Sequence, residues 1–332
     1  MKTINWGIIG CGDVTEVKSG PALQKVKNSR LQAVMRRNTA KAEDYARRHQ
    51  VPRWYDQADA LIHDPDVDIV YIATPPDSHH DYTLKVAAAG KPVYVEKPMA
   101  RNYTECLEMI EACQQAQIPL FTAYYRRSLP LFLKIKESLE QHKIGEVRFI
   151  NIVLCQPPYK QDYNSDQLPW RVIPEIAGGG YFIDLASHTL DLMYYYFGPV
   201  TEVNGLASNQ AKLYQAEDTV VANLRFKSGI LTSAIWCFCS SVREDKVTIM
   251  GTEGEISFST FMEHDAVMEN RDGRTSWPFN KPEHIQQPHI QSIVDQLNGA
   301  GHCPSDGLSA ARTSWVMDQI LADWRKKNGI LL

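Results

Sequence analysis

No run of apolar residues in this 332-residue chain approaches the roughly 20 needed to cross a bilayer, which excludes a helical membrane protein. The chain opens with one lysine and a short apolar strand, which is not the pattern of a signal peptide. Seven cysteines make an odd count, and Cys106/Cys113 and Cys237/Cys239 lack the paired C-x-x-C blocks of a zinc site. Neither a disulfide framework nor a structural metal is expected; reduced thiols in a cytoplasmic protein are. A formal charge of -4 gives no electrostatic basis for binding nucleic acid or an anionic membrane. Internal repeats and low-complexity tracts are also missing. What is left is an ordinary soluble composition, with enough length for about two domains.

The stretch that organises the chain is Gly178-Gly179-Gly180, which leads at once into a helical pattern with apolar Ile183, Leu185, Leu190, Leu192 and Met193. Gly198-Pro199 stops it. Three glycines permit a tight backbone approach that side chains would forbid. Asp184, His188 and Asp191 are spaced i, i+4 and i+7, so a continuous α-helix carries all three on one face. A carboxylate beside an imidazole can serve as acid–base machinery, since histidine titrates near neutrality. The plainer alternative is a helix start with a stabilising Asp and one buried, hydrogen-bonded His.

Residues 3–9 read as a buried strand, turned by Gly10-Cys11-Gly12-Asp13-Val14-Thr15 toward a helix. Gly7, Gly10 and Gly12 stand where a strand–turn–helix unit lets backbone approach a pyrophosphate. Helix-start amides there offer partial positive charge to phosphates. Thr15 replaces the third glycine of the usual fingerprint. A second strand, 31–35, ends in Arg36-Arg37 where an acidic residue would grip the ribose 2′-hydroxyl of NAD. Two guanidinium forks suit a 2′-phosphate instead, so NADP is expected over NAD.

The βα alternation continues. Residues 67–73 form a continuous apolar strand, as burial on both faces of a parallel sheet requires. Thr74-Pro75 and His79 follow it, then a helix, a strand at 92–95 and Glu96-Lys97-Pro98. Ligands collect at the carboxyl ends of such strands, which directs Lys97 to the cofactor crevice.

Taken in order, these blocks resemble the glucose–fructose oxidoreductase/inositol dehydrogenase/MocA family of NAD(P)-dependent oxidoreductases. They are Gly7/Gly10/Gly12, Ala73-Thr74-Pro75 with His79, Glu96-Lys97-Pro98, and the triple glycine with Asp184, His188 and Asp191. The resemblance spans nearly the whole chain and implies catalytic roles for Lys97, Asp184 and His188. It also implies subunit pairing through an open sheet face, as a homodimer or homotetramer.

Beyond Lys97 a helix over 103–115 and a strand over 119–123 close the first domain. Tyr124 and Arg126-Arg127 start the link to the second; either arginine can reach a ligand or tie the domains together. Alternating runs at 147–154, 219–226 and 230–238 argue for a mainly antiparallel sheet. The Asp184 helix is expected on one face, with Trp236 and Phe238 on the other. In the long loop from Gln156 to Arg171, Trp170 can stack on a sugar-like ring and Arg171 can donate to its oxygens.

The expected fold is α/β: a Rossmann domain over 1–123, then an α+β domain over 124–332 with an open antiparallel sheet. A C-terminal helix at about 308–327 is expected to dock on the first domain. The expected function is NADP-dependent interconversion of a hydroxyl and a carbonyl on a sugar, cyclic polyol or related small molecule. Cofactor contacts are assigned to Gly7, Gly10, Gly12, Asp13, Val14, Arg36, Arg37, Thr74, Pro75, His79, Glu96 and Lys97. Substrate contacts are assigned to Lys97, Tyr124, Trp170, Arg171, Asp184 and His188, with no metal. Lys97 and His188 both remain open as the proton-transfer group. Two rivals share the fold: a redox-neutral NAD(P)-dependent glycoside hydrolase, and a non-catalytic NADP-binding sensor.

Overall fold

A computed structural model describes residues 1–332. The chain divides into two compact units: Met1–Leu129 with Pro282–Ala311, and Pro130–Lys281 with Arg312–Leu332.

The first unit is built on β1 (Ile4–Ile9), β2 (Ser29–Met35), β3 (Arg53–Tyr55), β4 (Ile69–Ile72), β5 (Val93–Val95) and β6 (Leu120–Thr122). All pair in parallel, in the order β3-β2-β1-β4-β5-β6 of a dinucleotide-binding sheet. Continuous apolarity has the expected cause. Ile9, Val70, Ile72 and Val95 enter one core, while Ile8, Ile69, Tyr71 and Tyr94 enter another on the opposite face. The second core is closed by helix Gln287–Leu297, whose Ile290, Ile293 and Val294 are fully buried. The spacing i, i+3, i+4 gives that helix its apolar stripe.

In the second unit β7 (Val147–Cys155), β8 (Val200–Ser208), β9 (Thr219–Phe226), β10 (Leu231–Cys237), β11 (Glu244–Gly251), β12 (Gly254–Phe258), β13 (Ala266–Asn270) and β14 (Gly273–Trp277) form one sheet. Its order is β14-β13-β12-β11-β7-β10-β9-β8, antiparallel except where β10 runs parallel to β7. Helix Ser187–Phe197 covers one face, with Phe197 edge-on to Phe226.

Trp236 and Phe238 correct the expectation that they line the open face. Both are buried under the helical layer, Trp236 against Phe182 with ring centroids 5.0 Å apart and Phe238 against Tyr181 at 5.8 Å. Strand parity is the reason, since one residue's shift exchanges the faces. Leu206, Val221, Leu231, Ile235 and Met250 point outward instead, each more than a third exposed.

The C-terminal helix runs Gly307–Asn328, grouping with the first unit only through Ala311. From Arg312 it packs within the second unit, where Gly205 of β8 lets the Ile320 backbone approach; a Cβ at 205 would lie 2.6 Å from the Ile320 carbonyl oxygen. No helix is long and apolar enough to cross a membrane.

Candidate active site

In the first unit the strand order reverses between β1 and β4, and the segments leaving those strands flank the crevice this creates. Gly10 has φ +89, and a Cβ there would lie 2.6 Å from Thr74 Cγ2 and 3.1 Å from the Ala73 carbonyl. Only glycine turns the chain this way while keeping the β4 turn so close. Gly7 serves packing: a Cβ would meet Leu61 at 2.7 Å. Gly12 precedes the short helix Asp13–Val17, which also carries Val14.

Thr15 is fully buried and donates its hydroxyl to the Gly12 carbonyl at 2.8 Å. The close approach that a third glycine normally allows falls to Gly20, where a Cβ would sit 2.2 Å from the Thr15 carbonyl oxygen. Arg36 turns its guanidinium back to this turn, Nη1 donating to the Cys11 carbonyl at 3.2 Å. Arg37 is exposed.

His79, Glu96 and Tyr124, expected at the cofactor or substrate, are all buried, and the first two join hydrogen-bond networks that support the neighbouring turns. His79 is fully buried, with Nε2 2.8 Å from the Thr74 carbonyl and Nδ1 3.0 Å from that of Pro98. Burial lowers its pKa, the carbonyl contacts oppose that, and the ring sits between the Thr74-Pro75 turn and the Lys97-Pro98 turn. Buried Glu96 accepts from Tyr71 Oη at 2.6 Å and Gln286 Nε2 at 2.7 Å, and from the Lys97 amide at 3.1 Å. It fixes the backbone that presents Lys97, which is itself half-buried. Tyr124 is fully buried. Arg127 donates to the Pro304 carbonyl at 2.7 Å and Ser309 Oγ at 3.0 Å.

In the second unit the triple glycine ends helix Pro174–Ala177, Gly178 adopting φ +84. The helix expected next does not begin as an α-helix. Phe182–Ala186 is a π-turn, and α-helical geometry starts only at Ser187. A π-turn takes one more residue per turn, so the i, i+4, i+7 register from Asp184 is broken. Asp184 lies in the π-turn; His188 and Asp191 lie in the α-helix, and all three are buried.

Asp184 Oδ2 accepts from Arg171 Nε at 3.0 Å, and the Arg171 guanidinium stacks over Trp170 at 4.4 Å. The long loop thus reaches Asp184 by an ion pair backed by a cation–π contact. The His188 ring meets Phe261 edge to face at 5.6 Å.

Several residues here carry no sequence signal beyond polarity. Asp162 pins the long loop, accepting from Tyr181 Oη at 2.6 Å and the Tyr159 amide at 2.7 Å. Asp245 accepts from the amides of Thr260, Phe261 and Met262, and Thr260 Oγ1 lies 2.9 Å from Thr189 Oγ1, which secures Phe261 against the helix. Glu217 accepts from the Gly180 amide at 2.7 Å. Lys97 belongs to the first unit, Asp184 and His188 to the second.

Residues 4–124 match the model of an oxidoreductase family with an NAD-binding Rossmann fold, and residues 132–257 match the GFO/IDH/MocA C-terminal domain. Oxidoreductase P35 of Formosa agariphila is 42% identical over 322 residues, 95% of this chain and 97% of that protein. The 1,5-anhydro-D-fructose reductase of Ensifer adhaerens is 24% identical over 91% of this chain and 90% of its own. Among solved structures, levoglucosan dehydrogenase in complex with NADH and L-sorbose superposes with a TM-score of 0.87. That match covers 99% of this chain and 98% of the other at 22% identity, a likeness of fold.

Proposed function

Since this chain belongs to the GFO/IDH/MocA family of NAD(P)-dependent oxidoreductases, we propose that it interconverts a hydroxyl and a carbonyl on a sugar or cyclic polyol, with NADP as the preferred cofactor. The observation that supports this most is the cradle at Gly10. Its left-handed backbone, pressed against Thr74 at the strand-order reversal, leaves open the space a pyrophosphate needs. The backbone from Gly10 to Gly12 would hold that group, and Arg36, already turned to the Cys11 carbonyl, would meet a 2′-phosphate.

When bound, the nicotinamide supplies the site that accepts or donates hydride. The chain's own residues must then move the hydroxyl proton and orient the substrate. Lys97, fixed by Glu96, and His188, faced by Phe261, are the two groups suited to the proton, with His188 as acid/base. Asp184 holds Arg171 beside Trp170, which provides an ion pair and an aromatic face for a hydroxylated ring.

The test is absorbance of reduced nicotinamide, with NADPH or NADH for the carbonyl compounds 1,5-anhydro-D-fructose and L-sorbose, and with NADP⁺ or NAD⁺ for the polyols and sugars levoglucosan, D-glucose and myo-inositol. Turnover with at least one member is expected, lost in Lys97→Ala and in His188→Ala. Tight dinucleotide binding without turnover on any member would favour a redox-neutral hydrolase or a sensor. One charge-assisted hydrogen bond, about 1.5–3 kcal/mol, predicts a roughly ten- to hundredfold kcat/KM preference for NADPH that Arg36→Ala abolishes. Preference for NADH in the native enzyme would defeat the cofactor assignment.

A further inference from the structure

Glu217, two residues before β9, is fully buried yet does not belong to the sheet ladder. Its Oε1 accepts from the Gly180 amide at 2.7 Å, while Oε2 has no hydrogen-bond donor from the protein. The second and third glycines of the triplet are shaped around it. A Cβ at Gly179 would lie 3.0 Å from Glu217 Oε1 and 2.7 Å from Ile183; a Cβ at Gly180 would lie 2.5 Å from the Glu217 carbonyl oxygen. Neither position needs a left-handed backbone, so close approach to Glu217 is what demands glycine there.

The other end of the turn is held from the C-terminal helix. Arg325 Nη2 donates to the Gly178 carbonyl at 2.7 Å, and Nη1 pairs with Asp318 at 2.6 Å. Two elements far apart in sequence therefore grip the first carbonyl and the last amide of one three-residue turn. That turn passes directly into the π-turn: the Ile183 amide donates to the Gly180 carbonyl at 3.1 Å, and Asp184 follows. Any slackness at 178–180 is transmitted to the Asp184 carboxylate and its Arg171 partner.

We propose that Glu217 and Arg325 are positioning residues for substrate orientation, clamping the triple-glycine turn so that the π-turn presents Asp184 and its Arg171 partner in their working direction. The proposal rests on the oxidoreductase function put forward above, and its test separates the two. Kinetics are measured on Glu217→Ala, Glu217→Gln, Arg325→Met and Arg325→Lys with the panel sugar that the native enzyme turns over. Hydrogen–deuterium exchange is followed at the amides of 178–184.

Glu217→Ala and Arg325→Met are expected to lower kcat by about tenfold to a hundredfold, the scale of an ångström-sized misplacement, with KM for NADPH within about twofold. Glutamine keeps an acceptor for the Gly180 amide and lysine keeps a donor for Gly178, so these variants should restore kcat to within about threefold. The Gly180 amide should be protected in the native enzyme and in Glu217→Gln, and exchange fast in Glu217→Ala. Native kcat in Glu217→Ala, or a loss shared equally by Glu217→Gln, overturns the proposal. If Glu217→Ala does not fold, the contrast between Arg325→Met and Arg325→Lys decides, and native kcat in Arg325→Met overturns the proposal. Should the native enzyme turn over no panel member, the functional assignment fails by itself, and fast exchange at Gly180 would overturn the clamp as well.

Discussion

Glu217 makes the stability of this protein depend on pH in a direction opposite to most carboxylates. Burial pushes its pKa from an ordinary 4.5 up to about 7, against the lowering effect of the Gly180 amide and Arg325; neighbouring Asp218 adds to the rise. Tyr214 is the other titratable group that faces it, buried and neutral in this range. The folded chain thus keeps a proton that the unfolded chain releases between pH 4.5 and 7. The stabilisation is present in full below the unfolded value and is lost as pH rises through the folded one. With these two values, the loss between pH 5 and pH 8 is about 2–3 kcal/mol.

Glutamine mimics the protonated side chain and cannot titrate, so Glu217→Gln is the reference. Thermal melts of both proteins at pH 5, 6, 7 and 8 should show native stability falling relative to the variant. At about 1.4 °C per kcal/mol for a chain of this length, the gap in Tm widens by about 3–4 °C over the range. The other titrating groups are common to both proteins and cancel in the difference. A difference in Tm that stays flat from pH 5 to pH 8 would refute the argument, since Glu217 would then titrate near its ordinary value.

Gly10→Ala places a Cβ 2.6 Å from Thr74 Cγ2 on a backbone at φ +89, a strain of about 1–3 kcal/mol. NADPH affinity should fall at least about tenfold by fluorescence titration, and an unchanged Kd would remove the cradle from the argument. Arg171→Ala breaks a pair whose arginine is nearly half exposed, so it should cost under about 1 kcal/mol of stability while kcat falls at least tenfold. A fall in Tm with kcat intact would make the Arg171–Asp184 pair structural only. Ile235→Glu puts a charge at the centre of the outward apolar residues of the second sheet. Native protein is expected to scatter light as a dimer or tetramer and the variant as a monomer; a native monomer would show that this face is not an interface.

The Rossmann strands were readable because burial on both faces leaves an unbroken apolar run, as in Ile69–Ile72, and the capped helix Tyr103–Gln115 was bounded to the residue. Strands that expose most of their residues left no such trace: β8 is mostly half-exposed and contains Gly205, and β14 is almost wholly exposed. Alternation located β10 but not its parity. Two aromatics at Trp236 and Phe238 fit either face until the pairing with β9 and β7 fixes the register. The π-turn is invisible for a related reason, since one residue added within a single turn leaves the apolar spacing of the following helix intact. Lys97, Asp184 and His188 stood out by residue type and context. Their supports did not, because Gln286 and Arg325 meet Glu96 and Gly178 from 190 and 147 positions away.

Gln286 carries a consequence for how the protein is made. The first unit is discontinuous: the residues that complete its Glu96 network and seal one of its two cores arrive only with Pro282–Ala311, after the whole eight-stranded sheet has been synthesised. A nascent chain leaving the ribosome therefore holds a dinucleotide fold with one face unsealed through most of its translation. A fragment cut at Leu129 would keep that apolar face exposed for good. Order of synthesis and order of completion are reversed, and the domain that starts first finishes near the end.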